Sequence, residues 1–251
     1  MITVEKISKY FDGTQVLKEI STSFEKGKTN LIIGQSGSGK TVMMKCLVGL
    51  LNAEKGKIYY DDRDFSQMDF YERRVIRQEL GMLFQGGALF DSQTVQQNII
   101  FPLSMFTKMS MEEKIDRANT VLKRVNLENV NHLFPAELSG GMKKRVAIAR
   151  AIANKPKYLF CDEPNSGLDP RTSIVIDNLI SEITKEYQIT TVINTHDMNS
   201  VVEIGDKVAF IYKGSLWWEG TRLEILETDN KEVNDFVYAS ELMRTLHKHK
   251  G

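Results

Sequence analysis

Residues 29–47 of this chain read TNLIIGQSGSGKTVMMKCL, and this stretch decides the fold. It opens with a short apolar run, rich in β-branched residues, that is typical of a buried strand. The residues from Lys40 onward predict a helix. Between strand and helix, Gly34–Thr41 matches the pattern G-x-x-x-x-G-K-[ST] in full. A strand, a glycine-rich loop and a helix in this order predict a phosphate-binding loop in an α/β protein.

The residue types of this loop suit the binding of nucleotide phosphates. Glycines allow backbone N–H groups to turn toward phosphate oxygens, and the start of the following helix adds a positive end. Lys40 is predicted to reach the outer phosphates, and the Thr41 hydroxyl is predicted to ligate Mg²⁺. The predicted nucleotide contacts are Gly34, Gln35, Ser36, Gly37, Ser38, Gly39, Lys40, Thr41 and Val42.

A second candidate region is the apolar run Tyr158–Cys161, which leads directly into Asp162 and Glu163. Because consecutive strand residues point to opposite faces, at most one of the two acids faces the phosphates while the strand stays regular. We predict that Asp162 holds Mg²⁺ through water and that Glu163 polarises the attacking water. Adjacent acids at a strand end are weak evidence alone, and the phosphate loop makes them significant.

Two further polar residues follow predicted strands. His196 comes directly after the strand predicted at 190–195, and Gln85 directly after the one predicted at 80–84. Ligands of α/β sheets bind at the carboxyl ends of strands. A neutral imidazole can hydrogen-bond a terminal phosphate, and an amide can orient water or a Mg²⁺ ligand shell without titrating.

A second glycine-rich string, LSGGM at Leu138–Met142, also precedes a predicted helix. Ser139, Gly140 and Gly141 therefore form a second candidate anion-binding helix start. One nucleotide needs only one phosphate cradle. The simplest explanation is that this second cradle closes over a nucleotide held by another copy of the chain.

Composition excludes several classes of protein. The chain has 251 residues, and its 33 Lys and Arg balance its 33 Asp and Glu, so no overall field favours nucleic acid. The N-terminal residues do not have the pattern of a signal peptide, and no apolar run approaches a membrane span. Cys46 and Cys161 lie in apolar segments, which favours reduced core thiols over a disulfide or a zinc site.

Predicted strands and helices alternate through most of the chain, which favours an α/β sheet that is mainly parallel at its centre. Before it, two antiparallel strands are expected to join at Asp12–Gly13, and residues 95–125 are expected to be helical with an interruption at Pro102. A capping box predicts a new helix start at Ser110. The helical spacing within residues 229–251 fits either a packed terminal helix or a docking helix for another chain.

Taken in order, these strings resemble the ATP-binding cassette ATPases, the ATP-hydrolysing subunits of ABC transporters, over nearly the whole chain. The matching strings are the Walker A loop (Gly34–Thr41), the Q-loop (Gln85), the signature motif (Leu138–Met142), the Walker B strand (Leu159–Glu163), the D-loop (Ser166–Asp169) and the switch histidine (His196). Phe11 falls where the family stacks an aromatic ring on adenine, with Tyr10 as a weaker candidate.

The resemblance implies ATP and Mg²⁺ as cofactors and a head-to-tail dimer with a second copy. Each ATP would lie between Walker A of one copy and Ser139–Gly141 of the other. It also implies transmembrane permease subunits as partners, with a small accessory subunit as a further candidate and no nucleic acid. The expected location is cytoplasmic, at the inner face of the cell membrane through the permease.

One residue departs from the family pattern, because the signature usually ends in Gln and this chain has Met142. Methionine keeps the length and loses the amide. Together with Leu83–Phe90 and Asn98–Leu103, this string resembles Mla-type ATPases, which move phospholipid between bacterial membranes. In the same region Phe101, Leu103, Met105 and Phe106 fit either a docking groove for a permease or the core of the helical insert.

The sequence therefore predicts an α/β P-loop NTPase with a RecA-like core, an N-terminal antiparallel β portion and an α-helical subdomain. The expected domain is 1–228, with a helical insert at about 88–155, followed by an extension at 229–251. Phospholipid transport is the first expectation for function. The alternatives are an ABC transporter for another solute, or a soluble ABC ATPase without a transport role.

Overall fold

A computed structural model describes residues 1–239 of the chain. The strands are β1 (Ile2–Phe11), β2 (Thr14–Phe24), β3 (Thr29–Ile33), β4 (Lys55–Tyr60), β5 (Arg63–Asp64), β6 (Leu80–Leu83), β7 (Tyr158–Asp162), β8 (Thr190–Thr195), β9 (Lys207–Tyr212) and β10 (Ser215–Gly220). The α-helices are α1 (Lys40–Leu47), α2 (Phe70–Gln78), α3 (Val95–Phe106), α4 (Met111–Arg124), α5 (Gly140–Ile152), α6 (Pro170–Tyr187), α7 (Met198–Ile204) and α8 (Lys231–Val237). Short 3₁₀ turns occur at Pro135–Glu137 and Glu224–Leu226.

The first of two compact units comprises residues 1–25, 29–67 and 194–239. Four of its strands form a sheet in the order β2-β1-β4-β5, with antiparallel pairing throughout. A second run of strands has the order β10-β9-β3, in which β9 pairs antiparallel with β10 and parallel with β3. All residues of β3 are buried, so the loop that follows starts from a fixed strand end.

The second unit comprises residues 26–28 and 68–193. Its strands follow the order β8-β7-β6, with β8 represented by residues 190–193, and β6 pairs parallel with β7. Helices α3, α4 and α5 pack against one another, and α5 also packs against α6 and β6. The inner face of α5 carries apolar residues such as Val146, Ile148 and Ile152, which are at most 1% exposed. This buried face anchors α5, which begins at Gly140 after the N-cap Ser139.

Most predicted elements are confirmed, with ends that differ by a few residues. The capping box at Ser110 is confirmed, because its hydroxyl accepts from Glu113 N and the Glu113 side chain accepts from Ser110 N. Helix α1 begins at Lys40 as predicted and ends at Leu47, because Gly49 adopts φ 72°, the left-handed conformation in which glycine ends helices. The two-residue strand β5 was not predicted from the sequence.

The predicted interruption at Pro102 is wrong, since α3 continues through this residue. Proline lacks an N–H, so one helical hydrogen bond to the carbonyl of Asn98 is lost. The neighbouring Ile99 and Leu103 are at most 1% exposed. Burial of these side chains on the next helices holds α3 together across the missing bond.

Cys46 and Cys161 are free and buried, as predicted. Burial raises the pKa of the Cys46 thiol to about 11, and burial raises that of Cys161 as well. Within the described part of the chain, no helix has the length and apolar character needed to cross a membrane. Of the expected 229–251 extension, the structure shows α8, and residues 240–251 lie outside the described residues.

Candidate nucleotide-binding and catalytic residues

The loop between β3 and α1 has a backbone that requires glycine. Gly34 has φ 145°, and a Cβ on it would lie 2.2 Å from the carbonyl oxygen of Ile211. Gly39, which precedes α1, has φ 111°, and a Cβ there would lie 2.9 Å from Leu17 Cδ2. Gly37 is also left-handed, at φ 78°. A side chain at Gly34 would clash with its neighbours, and the positive φ values are ones that L-residues rarely adopt. The predicted phosphate loop therefore depends on its glycines.

Lys40 is only 7% exposed and points into this loop. Its Nζ donates to the carbonyl oxygens of Gly34, at 2.8 Å, and Gln35, at 3.1 Å. The nearby Ser38 Oγ is buried and forms no hydrogen bond with any described residue. A buried ammonium and an unused buried hydroxyl inside a tight glycine turn suit phosphate oxygens, which accept from both groups.

The residue after Lys40 contacts the end of β8. Thr41 Oγ1 accepts a hydrogen bond of 3.2 Å from Asn194 Nδ2, and Asn194 is fully buried. The exposed His196 follows two residues later, directly after β8. Asp197 then caps α7 by accepting from Asn199 N at 2.9 Å. The end of β8 therefore presents Asn194 to the predicted Mg²⁺ ligand Thr41 and leaves His196 accessible.

Phe11 lies at the end of β1 and is 41% exposed. The ammonium of Lys9 lies 5.1 Å from its ring centroid. Lys9 is held by Glu54, whose Oε1 lies 2.5 Å from Nζ and whose Oε2 accepts from Tyr10 N at 2.9 Å. The Phe11 ring thus has the Lys9 ammonium nearby and is partly open to solvent, and this arrangement suits the predicted stacking of the ring on adenine.

The acidic pair lies where β7 ends. Asp162 is the last strand residue, and Glu163 has left the strand with φ 49°. A left-handed conformation costs a non-glycine residue on the order of 1–2 kcal/mol, so the surrounding contacts hold it in place. One of them is the hydrogen bond of 3.2 Å from Ser166 N to Glu163 O. Strict strand alternation therefore does not apply to this pair, because only one of the two acids is in the strand.

Gln85 lies directly beyond β6 and its neighbour Phe84, and it is exposed. Its Nε2 donates to Ser166 Oγ at 3.4 Å, and its backbone carbonyl accepts from Lys144 Nζ. Lys144 Nζ also lies 3.5 Å from Glu163 O. Within the second unit, the structure thus joins Gln85 to the turn that follows Glu163.

The signature string begins α5. Ser139 is the N-cap, and its Oγ accepts from Met142 N at 3.2 Å. A Cβ on Gly141 would lie 2.7 Å from Thr172 Cγ2, whereas one on Gly140 would make ordinary contact with Leu168. Thr172 Oγ1 and the Thr172 and Arg171 amides donate to Asp169, which lowers the pKa of that carboxyl. The exposed helix start has no acidic residue in its first turn, as an anion site requires.

An apolar groove of about 370 Å³ lies on the second unit beside α3 and β6. Its apolar lining includes Leu80, Met82, Phe84, Phe90, Phe101 and Phe106. Phe101 is 38% exposed and Met105 is 52% exposed, whereas Leu103 is 1% exposed. Leu103 therefore belongs to the core of the helical insert, which is one of the two predicted alternatives. Phe101 and Met105 are exposed, so core packing does not hold for them.

Residues 17–166 match the protein family described as ABC transporter, which is more than half of the chain. The chain belongs to the ABC transporter ATPases. It is an ATP-hydrolysing enzyme with the P-loop NTPase fold, and its cofactors are ATP and Mg²⁺. A similar solved structure is the dimeric post-hydrolysis state of the ATP-binding cassette MJ0796 bound to ADP and Pi. Its sequence is 32% identical to this chain, and the TM-score is 0.80. The match covers 88% of this chain and 99% of the MJ0796 chain.

Curated relatives of this ABC ATPase include methionine import ATP-binding proteins. The protein from Clostridium tetani is 41% identical over 84% of this chain, and the one from Campylobacter jejuni is 36% identical over 97% of it. The chain spans 66% and 77% of their respective lengths. Both names refer to methionine and neither to phospholipid, so they do not support the transport of phospholipid predicted from Met142.

Sequence reasoning missed two polar residues of this ABC ATPase. Asn194 is a buried amide within the strand Thr190–Thr195, and Lys144 is 5% exposed within α5. For Lys144, the sequence signal is its spacing, because it lies one helical turn before the apolar Ile148 and therefore on the apolar face of the helix. This spacing indicates a buried lysine. For Asn194, the signal is an amide inside a strand that is otherwise made of β-branched residues.

Proposed function

We propose that this chain is the ATP-hydrolysing subunit of an ABC importer and that its transport complex moves a small polar solute such as methionine. The observation that carries the proposal is the match to the ABC transporter family together with curated relatives that are named for methionine import. The reaction is ATP + H₂O → ADP + phosphate. Transport follows from coupling this reaction to transmembrane permease subunits, at whose cytoplasmic face the chain would be bound.

In the first unit, the proposed roles concern phosphate binding. Lys40 and the hydroxyl of Ser38 hold phosphate oxygens, and Thr41, oriented by Asn194, binds the metal ion. Phe11 stacks on the adenine ring. His196 hydrogen-bonds the terminal phosphate. Mg²⁺, when bound, neutralises charge on the phosphate oxygens and so lowers the barrier to attack by water.

In the second unit, the proposed roles concern the metal and water. Asp162 would hold Mg²⁺ through water, and Gln85 would bind the ion through its side-chain oxygen. Glu163 accepts a hydrogen bond from the attacking water and takes its proton. Its backbone is left-handed and lies outside the strand, whereas Asp162 is the last residue of the strand. The two acids therefore serve different partners.

Replacing Glu163 with glutamine tests the assignment of the base. Glu163→Gln keeps the side-chain shape and removes the proton acceptor, so kcat is expected to fall about 100-fold or more while ATP stays bound. Turnover and nucleotide affinity are measured on the purified chain with Mg²⁺. Asp197→Asn, at the α7 cap, is the matched carboxylate-to-amide control. If Glu163→Gln hydrolyses ATP at the parent rate, the assignment is wrong.

The signature string supports a proposal of a head-to-tail dimer. Ser139, Gly140 and Gly141 lie at an exposed helix start without acidic residues. In the proposed dimer this start contacts the nucleotide held by the Walker A loop of the second copy. Gel filtration with multi-angle scattering tests the proposal on Glu163→Gln, where added MgATP is expected to double the mass. A monomer under saturating MgATP would contradict it.

The apolar groove beside α3 supports the proposed contact with permease subunits. Its lining includes four phenylalanine side chains and the flexible side chain of Met82, which together form an adaptable apolar surface. Phe101→Asp is expected to leave basal hydrolysis within about twofold and to abolish its stimulation by the permease, because a charge in the groove must be desolvated on docking. Equal stimulation of parent and variant would exclude the groove as the permease contact.

Phospholipid remains a second candidate cargo on one specific observation. Three segments of the sequence together resemble Mla-type ATPases, namely Met142, Leu83–Phe90 and Asn98–Leu103. The two candidates separate in one experiment, in which the intact complex, copurified through its permease, is reconstituted in vesicles. Stimulation of ATP hydrolysis by methionine and its solute-binding protein supports the first candidate, and movement of labelled phospholipid supports the second.

A further inference from the structure

The buried ammonium of Lys144 joins three functional segments of the second unit. Lys144 belongs to α5, whose first turn is the signature string, and its side chain is 5% exposed. It donates to the backbone carbonyl of Gln85 and lies 3.5 Å from the carbonyl oxygen of Glu163. A single cation thus contacts Gln85, two residues beyond β6, and Glu163, the residue after β7.

These contacts close into a ring. The side chain of Gln85 donates to Ser166 Oγ at 3.4 Å, and Ser166 N donates to Glu163 O at 3.2 Å. Glu163 O in turn lies against Lys144, which donates to Gln85 O. Because each residue in the ring contacts the next, a displacement of Gln85 reaches the Glu163–Ser166 turn by two routes. One route passes through Ser166 and the other through Lys144.

The same helix also holds the wall of the apolar groove. Arg150 donates to the carbonyl oxygens of Gly87 and Ala88, both at 2.8 Å, and its guanidinium lies 5.8 Å from the ring of Phe90. Ala88 is left-handed at φ 46°, which these two bonds help to hold. Two cations of α5 therefore fix the segment Gln85–Ala88, one at each of its ends.

Burial of this ammonium needs compensation. Burial lowers the pKa of Lys144, while the nearby carboxylate of Glu163 acts in the opposite direction. A buried charge is retained at low cost only when carbonyls or opposite charges surround it. The carbonyls of Gln85 and Glu163 supply this environment, so the position of Lys144 and the positions of both segments depend on one another.

We propose that Lys144 is a positioning residue that ties Gln85 and the Glu163–Ser166 turn to the signature helix and so sets the position of the catalytic carboxylate. This inference rests on the proposed role of Glu163 as base. In the proposed role, Lys144 contacts neither the nucleotide nor the attacking water. Its effect passes through the backbone of Gln85 and Glu163.

The test uses two variants and a matched control on the same helix. Lys144→Met removes the ammonium and keeps the aliphatic stem, and Lys144→Arg keeps a buried cation with donors. Arg145→Met removes a neighbouring cation that also donates to a backbone carbonyl, that of Asn126 at 2.9 Å, which lies outside the ring. Lys144→Gln replaces Lys144→Met if the methionine variant does not fold.

Hydrogen exchange of the nucleotide-free chain gives the first measurement. The reporters are the amide of Gly87, which donates to Phe84 O, and that of Ser166, which donates to Glu163 O. In Lys144→Met both amides are expected to exchange about tenfold faster or more, whereas Lys144→Arg and Arg145→Met stay within about threefold of the parent. Unchanged exchange at either amide in Lys144→Met overturns the proposal.

Steady-state kinetics give the second measurement. Lys144→Met is expected to lower kcat about tenfold with KM for ATP changed less than about threefold, and Lys144→Arg is expected to recover most of the loss. An equal fall in kcat for Arg145→Met would indicate general damage to α5 and would overturn the proposal. The exchange measurement needs neither ATP nor permease, so failure of the proposed transport function leaves its outcome readable.

Discussion

Two glycine-rich helix starts in this chain have similar composition and different construction. In the Walker A loop the glycines take positive φ, and the N-cap Gly39 supplies no side-chain hydrogen bond. In the signature string Gly140 and Gly141 lie within α5, and Ser139 caps the helix through Met142 N. The first start encloses a buried lysine, and the second faces solvent.

The difference shows that glycine serves two purposes here. At Gly34 it permits a backbone conformation that any other residue would adopt only with strain. At Gly141 it provides room, since its backbone is ordinary helix and only the neighbouring Thr172 limits a side chain. Substitutions at the two starts should therefore fail for different reasons, and four changes test this from the largest expected effect to the smallest.

The largest effect is expected at Gly34. Gly34→Ala places a Cβ 2.2 Å from the Ile211 carbonyl at φ 145°, so both the clash and the backbone strain must be relieved. The free energy of unfolding is expected to fall by about 3 kcal/mol or more, measured by urea denaturation. Gly37→Ala, with φ 78° and nothing within 4 Å of its Cβ, is the control and should lose about 1 kcal/mol. Equal losses would contradict the role of the clash.

The next effect is expected at Lys40. Lys40→Met removes the ammonium that bonds Gly34 O and Gln35 O, and the Kd for MgATP is expected to rise by about 30- to 1000-fold, which corresponds to 2–4 kcal/mol. Stability should change little, because the loss of hydrogen bonds is offset by the loss of a buried charge. Calorimetry gives the affinity, and an unchanged Kd would exclude Lys40 from phosphate binding.

A smaller effect is expected at Gly141. In Gly141→Ala the better helix propensity of alanine offsets the contact with Thr172 Cγ2, so stability should stay within about 1 kcal/mol of the parent. ATP hydrolysis by the dimer is expected to fall about tenfold, because the new methyl group lies in the first turn of α5, beside the amides that are proposed to contact phosphate. Adding Thr172→Ser removes the crowding methyl group. Recovery of activity in that double variant would show that crowding, and not access to the amides, caused the loss.

The smallest effect is expected at Ser139. Ser139→Ala removes the N-cap bond of 3.2 Å to Met142 N and should lower the free energy of unfolding by about 1 kcal/mol. Ser110→Ala removes an equal bond of 3.2 Å at α4 and should lose about the same stability without any change in ATP hydrolysis. If the two variants hydrolyse ATP equally well, Ser139 is a cap alone and the proposed contact across the dimer is wrong.

Much of this architecture follows from the sequence because its signals are local. The loop Gly34–Thr41, the cap at Ser110 and the strand Thr190–Thr195 depend on neighbouring residues, and all three elements are found where predicted. Pro102 was misread, because the local effect of proline is outweighed by burial of Ile99 and Leu103. Packing of this kind depends on residues far apart in the chain, so pattern alone does not reveal it.

Of the candidate site, residue types and loop positions could be predicted, and the supporting contacts could not. The bond from Asn194 to Thr41 links residues 153 positions apart, and that from Lys144 to Gln85 links residues 59 positions apart. No periodicity reports on such pairs. The roles of Glu163, Lys40 and Ser139 are predictions that the proposed variants test, and those of His196, Asp162 and Phe11 stay predictions from the sequence.

The bonds from Lys40 to its own loop also bear on the kinetics of ATP capture. Because the ammonium already holds Gly34 and Gln35 in the turn, the loop is ordered during folding rather than at the moment of encounter. Association should then be fast, limited by diffusion and orientation, and variants around the loop should differ mainly in how quickly nucleotide leaves. Stopped-flow traces with a fluorescent ATP analogue would show nearly constant on-rates across such a series.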